Sequence, residues 1–333
     1  MTKKALITGI TGQIGSYLAE ILLEQGYKVH GLSRNKLNSQ IPEESQKKII
    51  FHSSDIKDLN SLQKLIEQIK PDEIYNLAAQ SNSQISFDIA EETFQTNALA
   101  ILRICETVKK LNNNCKVFQA SSAELYGGTY DYPVTEETPF IPRNPYGIAK
   151  FTAYWTIKIY REANNSFFVN GIIFNSESPR RGDAFVTKKI VKGIADIIKG
   201  KQEVVSLGNI NSKRDWGHAK DTAYAIYKSL QAEKPGDYII STGKAHTIRE
   251  FIELAFKHLG KKLAWRGQGL NEEGYDLETG KVYININPQF FRPVELKVML
   301  GNPAKARKEL NWQPQYTFES LVNEMIDYDM SKN

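Results

Sequence analysis

Tyr146 and Lys150 stand four residues apart, so on a helix their side chains leave the same face. A phenol beside an ammonium can exchange a proton with a substrate hydroxyl, because the cation favours phenolate and lowers the tyrosine pKa toward the working range. Many helices carry such a pair by chance, and its meaning comes from what surrounds it. Ser121 and Ser122 end a short apolar stretch upstream, and Ser122 can donate to the hydroxyl that Tyr146 deprotonates. Two residues further lies Glu124. Hydride transfer alone needs one acid–base group; a second carboxylate becomes useful when a proton must also leave carbon. On a sugar, Tyr146 would take the C4 hydroxyl proton as the C4 hydride departs. The new ketone would acidify the C5 hydrogen, Glu124 would abstract it with loss of the C6 hydroxyl as water, and return of the hydride to C6 would close the cycle. The other reading of Glu124 is a helix-start or loop-capping carboxylate.

Side chains cannot accept a hydride, and the N-terminus offers a place for a group that can. Gly9-Ile10-Thr11-Gly12-Gln13-Ile14-Gly15 follows the apolar run Ala5 to Thr8 and opens an amphipathic segment. Glycine lets the backbone turn tightly and approach a pyrophosphate, whose charge the free N–H groups at a helix start can bind. Between a strand and a helix the run reads as a dinucleotide fingerprint, with Gly9, Thr11, Gly12, Gln13, Ile14 and Gly15 as its contacts. The end of the second strand, Gly31-Leu32-Ser33-Arg34-Asn35-Lys36, lacks the acid that would bind a ribose and repel a 2′-phosphate. Arg34 and Lys36 lean toward NADP and leave NAD open. Asp55, ending the third strand, could accept from the adenine amino group or serve to cap the helix that starts near Asp58. Ile56 beside it, and Leu77, Ala79 and Ser81 at the end of the fourth strand, complete the expected cofactor contacts.

These residues need a parallel α/β frame, and the pattern predicts one. Ala5 to Thr8, Lys28 to Leu32, Ile49 to His52, Glu73 to Ala78 and Lys116 to Ala120 read as strands, with helix-period segments at Gln13 to Gln25, Leu59 to Lys70 and Ile89 to Leu111. A helix from Gly147 to Ala163 and a strand from Phe168 to Phe174 extend the same sheet, giving a Rossmann-type doubly wound fold over residues 1–174. The stretch Ala219 to Gln231 with Asp237 to Ser241 reads as a helix and strand returning to it, so 219–241 is assigned to the first domain. Residues 175–218 and 242–330 break the rhythm and read as a smaller mixed α/β nucleotide-sugar domain, the two lobes enclosing a cleft.

Composition narrows the class. The 333 residues carry 41% hydrophobic and 24% charged side chains, ordinary for a globular chain, and the net charge of +5 comes from basic residues scattered among 38 acids. No basic arm suggests nucleic acid, no long apolar run suggests a membrane, and no secretory leader is visible, so a cytoplasmic enzyme is expected. The five histidines lack helical i, i+4 pairing and no metal is expected; Cys105 and Cys115 read as reduced packing residues.

Five strings sharpen the reading: Thr8 to Gln13, Gly15 to Glu20, Pro142-Arg143-Asn144-Pro145-Tyr146-Gly147, Glu177-Ser178-Pro179-Arg180-Arg181-Gly182, and Lys213-Arg214-Asp215-Trp216-Gly217-His218-Ala219-Lys220-Asp221. With them the chain, from about residue 3 to about residue 327, resembles the GDP-mannose 4,6-dehydratase branch of the extended short-chain dehydrogenase/reductase family. The resemblance implies that Ser122, Glu124, Tyr146 and Lys150 are the catalytic set. It adds Arg181 to the cofactor site and implies that Asn175, Lys189, Arg214, Arg292 and Glu295 line the GDP-sugar site, the arginines countering the diphosphate.

Departures from the family pattern cluster near the cofactor: Ile14 for an aspartate, Asn35 and Lys36 for an arginine and serine, Glu92 for a tyrosine, and Ser176 for a histidine. The loop Asn35 to Pro42, which helps build the family tetramer, differs in composition, so a dimer is the firmer expectation. Ala123 replaces a serine, so Glu124 would also have to protonate the leaving hydroxyl. A GDP-D-glycero-D-manno-heptose 4,6-dehydratase and a net C4 oxidoreductase on a GDP-sugar stay open beside the GDP-mannose reading.

Overall fold

Alternation within the short apolar runs sorts their side chains to two faces of one sheet. A computed structural model describes residues 2–34, 40–111, 114–290 and 298–332. Strands β1 (Lys4–Thr8), β2 (Lys28–Ser33), β3 (Ile50–Ser53), β4 (Glu73–Asn76), β5 (Lys116–Ser122) and β6 (Phe168–Ile173) join Asp237–Ile240 in a seven-stranded sheet. From edge to edge the order is Asp237–Ile240, β6, β5, β4, β1, β2, β3, and every pairing is parallel. Ala5, Ile7, Tyr75 and Phe118 enter one core, while Leu6, Ile74 and Val117 enter the other. Both faces are covered by helices, which is why the runs are apolar throughout instead of alternating with polar residues.

Helix α1 (Gln13–Glu24) lies on the first face, burying Leu18, Ala19 and Leu22. Helix Ala100–Leu111 lies on the second, with Ile101, Ile104, Cys105 and Val108 buried at the i, i+3, i+4, i+7 spacing of one helical stripe. Both cysteines sit in that second core. Each fully buried Leu or Ile contributes about 1.5–3 kcal/mol of transfer free energy, so these stripes dominate any local propensity.

The single helix expected over Ile89 to Leu111 is interrupted. Ala90–Phe94 and Ala100–Leu111 are α-helical, but Gln95–Leu99 between them is a π-helical turn. Its cause is Asn97, whose amide accepts from the Gln80 backbone N–H at 3.0 Å and donates to the Gln80 carbonyl at 2.9 Å. The wider turn puts one polar side chain where it satisfies the loop after β4.

After β6 the chain builds a second core. Helices Val186–Ile198, Ile248–His258 and Phe318–Ser331 bury Ile190, Ile194, Phe251, Phe256, Val322 and Met325 with the four-stranded sheet Leu263–Arg266, Glu273–Asp276, Val282–Ile286, Val205–Leu207. Among the described residues no helix is long and apolar enough to cross a membrane.

Candidate active site

The strand order reverses between β1 and β4, and ligands of open parallel sheets bind outside the carboxyl ends of the strands at such a switch point. The glycine turn sits there. Gly9 has φ +68° and a Cβ on it would lie 2.7 Å from the Ala78 backbone nitrogen; one on Gly15 would lie 2.4 Å from the Gly9 carbonyl oxygen. Gly12 is the N-cap of α1, without a capping side chain or an acid in the first turn. The result is a side-chain-free cradle at a helix N-terminus, which fits a dinucleotide pyrophosphate.

The neighbouring candidates divide by what their side chains do. Thr11 faces Ser33, hydroxyl to hydroxyl, at 3.3 Å. Leu77 and Ala78 donate their N–H groups to the Thr8 hydroxyl, which fixes the loop carrying Ala79 and Ser81. Gln13 donates to the Ser176 carbonyl at 2.7 Å and accepts from Ser178 at 2.9 Å, so its side chain ties α1 to the segment after β6 and does not reach for a ligand. The side chain of Ile14 packs against the first core and that of Ile56 is buried in the second with Leu32 and Leu62, which leaves their backbone groups for a ligand. Asp55 accepts from the Lys57 N–H at 2.9 Å; Asp58, not Asp55, caps the helix Leu59–Ile69. The Lys57 ammonium bridges Glu92 at 2.8 Å and Asp55 at 3.8 Å, with exposed Arg34 in electrostatic reach. Asn35 and Lys36 lie outside the described residues.

Catalytic candidates gather at the carboxyl end of β5. Ser122 ends that strand and its hydroxyl accepts from the Glu124 N–H at 3.2 Å, capping the short turn Ala123–Tyr126. Helix Pro145–Asn164 starts with Pro at its first position, where the missing N–H costs nothing. Tyr146 and Lys150 follow on its buried face. The Tyr146 hydroxyl is hydrogen-bonded to Ser122, and the Lys150 ammonium donates to the Ala120 carbonyl at 2.8 Å, 5.8 Å from the Tyr146 ring centre.

Their electrostatics differ from the sequence expectation. Burial pushes Tyr146 up to about 12, with Ser122 and Arg181 opposing and Glu124 adding to the rise. Burial also pushes Lys150 down to about 8. Desolvation is the largest influence on the phenol, and Ser122 and Arg181 supply the counteracting pull. Arg181 pairs with Glu177 at 3.1 Å, stacks on Phe185 at 3.5 Å and lies close enough to Tyr146 for their charges to interact, so it joins the catalytic cluster.

Asn175 begins the short strand Asn175–Glu177, two residues past Ile173, the register partner of Ser122. Its Oδ1 is buried without a hydrogen-bond partner among the described residues. Lys189 lies on the helix Val186–Ile198 with its ammonium 3.4 Å from the Phe290 ring centre. Arg214 is buried in Lys213–Arg214 and donates to the Lys213 carbonyl at 2.9 Å. Arg292 and Glu295 lie outside the described residues.

Two residues with no role in the sequence reading hold the site together. Asn144 caps the helix of Tyr146 by accepting from Gly147 at 2.7 Å, and Ser86 accepts from the Tyr146 N–H at 3.2 Å. The only sequence signal was Asn before Pro, a helix-start pattern. Long strings prove structural as often as chemical: Asp215 accepts from Thr242 and Gly243, His218 caps the helix Ala219–Leu230, and Arg180 binds Ser16 and Glu20.

A family model described as GDP-mannose 4,6 dehydratase matches residues 6–325. The GDP-mannose 4,6 dehydratase of Homo sapiens is 48% identical, covering 98% of this chain and 91% of that protein. That of Vibrio cholerae is 42% identical, covering 99% and 94%. Among solved structures, the dTDP-glucose 4,6-dehydratase of Bacillus anthracis in complex with NAD superposes with a TM-score of 0.80 at 23% identity, covering 98% of this chain and 96% of that one. The UDP-glucose 4-epimerase of Thermus thermophilus complexed with NAD gives 0.82 at 22%, covering 98% and 99%. RMD of Pseudomonas aeruginosa complexed with NADPH gives 0.80 at 21%, covering 99% and 100%. These three share the fold.

Proposed function

The chain belongs to the GDP-mannose 4,6-dehydratase family, and from that membership we infer that it converts GDP-mannose to the GDP-4-keto-6-deoxy sugar by internal redox and loss of water. The observation that carries the reading within the site is Glu124 beside Ser122 and Tyr146: a carboxylate at that place is superfluous for simple hydride transfer.

A nicotinamide dinucleotide, when bound on the Gly9, Gly12 and Gly15 cradle, supplies a hydride acceptor for C4 and a donor for C6. Tyr146 receives the C4 hydroxyl proton, with Ser122 holding that hydroxyl and Arg181 favouring the phenolate. Lys150, anchored on Ala120, keeps a positive charge near the ring. Glu124 takes the C5 proton as the C6–oxygen bond breaks and returns a proton to the departing hydroxide, so water leaves and no proton is lost. As the hydride returns to C6, the proton that Tyr146 took from the C4 hydroxyl balances the one delivered to C5, so phenolate and carboxylate are both restored. Asn175, Lys189 and Arg214 would hold the GDP-sugar on residues 175–218 and 242–330, a second lobe facing the dinucleotide lobe. Arg34, exposed just past the end of β2 where no acid stands, supports NADP.

Purified protein given GDP-mannose and NADP is expected to form a product lighter by one water with no net reduction of cofactor, read by mass spectrometry and absorbance. Stoichiometric accumulation of reduced cofactor would instead indicate a net C4 oxidoreductase, and a faster reaction with NAD would overturn the cofactor assignment.

The catalytic helix also supports a dimer. Ile148, Trp155 and Ile159 line its outer face at 44%, 39% and 56% exposure, and Leu99 of the π-turn and Leu102 of the helix after it are exposed as well. Such a patch on a soluble chain marks an interface between copies. Trp155→Ala with Ile159→Asp should shift the sedimenting species from dimer to monomer at micromolar concentration, and unchanged sedimentation would remove the assignment.

A further inference from the structure

Asn144 touches both halves of the catalytic apparatus. Its Oδ1 accepts from the Gly147 N–H at 2.7 Å, capping the helix that carries Tyr146 and Lys150, and its Nδ2 donates to Glu124 Oε2 at 3.0 Å. These two partners leave the amide one orientation, since a backbone N–H needs the oxygen and an ionised carboxylate needs the NH2. Glu124 arrives on the turn after β5, 20 residues earlier in the chain, and Gly147 packs against it so closely that a Cβ there would lie 3.0 Å from the Glu124 carbonyl oxygen. The amide thus spans a junction that backbone contact has already closed.

We propose that Asn144 is a positioning residue for the dehydration step: it fixes the Glu124 carboxylate relative to the tyrosine helix, so the group that takes the C5 proton and the group that serves the C4 hydroxyl address one sugar in register. The proposal rests on Glu124 acting as the proton acceptor. A cap alone would be served equally by serine, aspartate or asparagine, because each offers an oxygen to the helix N–H groups. Among these only asparagine presents an oxygen to Gly147 and, from the same rigid plane, an NH2 to the carboxylate. A small displacement of a reacting group costs large factors in rate, which gives the second hydrogen bond its consequence.

Asn144→Asp separates the two duties. It keeps the capping oxygen and adds a charge favourable at a helix N-terminus, but it exchanges the donor for a second carboxylate facing Glu124. Two carboxylates so close share a proton in preference to ionising together, which takes acceptor capacity from Glu124. The expected result is a thermal midpoint equal to or above that of the parent, KM within about threefold, and kcat lower by about 10–100-fold. Deuterium exchange at C5 should fall by the same factor, while C4 oxidation, followed as transient reduced nicotinamide, persists. Asn144→Ser, which caps but cannot span to Glu124, should show the same partition and serves if the aspartate variant is poorly folded. If either folded variant loses C4 oxidation and C5 exchange equally, or loses neither, Asn144 is only a cap and the proposal is overturned. Glu124→Gln run alongside tells the two failures apart: if it leaves C5 exchange intact, the role of Glu124 is wrong and the proposal goes with it.

Discussion

Tyr146→Phe is expected to remove turnover by about 10²–10⁴-fold without any reduced nicotinamide appearing at any time during the reaction. The loss corresponds to about 3–6 kcal/mol of transition-state free energy at about 1.4 kcal/mol per tenfold. The ring remains, so the packing of the helix start stays; what disappears is the hydroxyl that bonds Ser122. Burial holds the phenol near 12, so only the minority phenolate can accept the C4 hydroxyl proton at neutral pH, and Ser122 and Arg181 favour that form. The parent rate should therefore climb with pH as the phenolate fraction grows, and the break in that climb is assigned to Lys150. Its pKa is pushed down to about 8, so its positive charge is lost as pH rises through that value and the rate should level off above about pH 8. A rate that goes on climbing to pH 10 would show that the lysine charge is not used. Reduced cofactor formed by Tyr146→Phe at the parent rate would remove Tyr146 from the C4 step.

The fold was legible because its signals are local and repeated. Ile101, Ile104, Cys105 and Val108 announce a buried stripe from spacing alone, and the glycine run announces a turn that a Cβ would block. The π-turn at Gln95–Leu99 was not legible, since its cause is the pairing of Asn97 with Gln80, 17 residues away. Legibility at the site follows the same division. Tyr146 and Lys150 share a helix face, which spacing gives, but the sign of the tyrosine shift depends on burial, which spacing does not give. The tie from Asn144 to Glu124 was not legible, because that partner comes from another element. The resemblance strings had a further property that only contact reveals: Arg180 from one string binds Ser16 and Glu20 from another and lies over Tyr17, so their length reflects mutual packing as much as chemistry.

Glu124→Gln is expected to stop dehydration while leaving C4 oxidation in place, so that reduced nicotinamide rises to about one equivalent per site and stays. The reasoning runs from the neighbours of the carboxylate. Glutamine keeps the volume and can still accept from the Asn144 amide, so the helix start and the turn after β5 have no cause to shift. Lost with the charge is the only acid–base function that Glu124 brings, and two proton transfers depend on it. Ala123 stands beside it, buried and without a hydroxyl, and the pocket that Ala123 lines with Phe174, Val298, Met299 and Leu300 is apolar on that side. The two tyrosines of this pocket are already committed, Tyr126 to the Thr135 carbonyl and Tyr130 to the Pro139 carbonyl. With no hydroxyl at Ala123, Glu124 is expected both to take the proton from C5 and to give one to the leaving hydroxide, and its loss should lower the dehydration rate by about 10²–10⁴-fold, with C5 deuterium exchange lost in parallel. Restoring the missing neighbour, Ala123→Ser, offers the leaving group a second donor. In the Glu124→Gln background that change should recover neither C6–oxygen cleavage nor C5 exchange, because the C6 hydroxyl leaves only as the C5 proton is taken, and a hydroxyl is too weak a base to take a proton from carbon. Recovery of both would mean that the hydroxyl, not the carboxylate, governs the elimination.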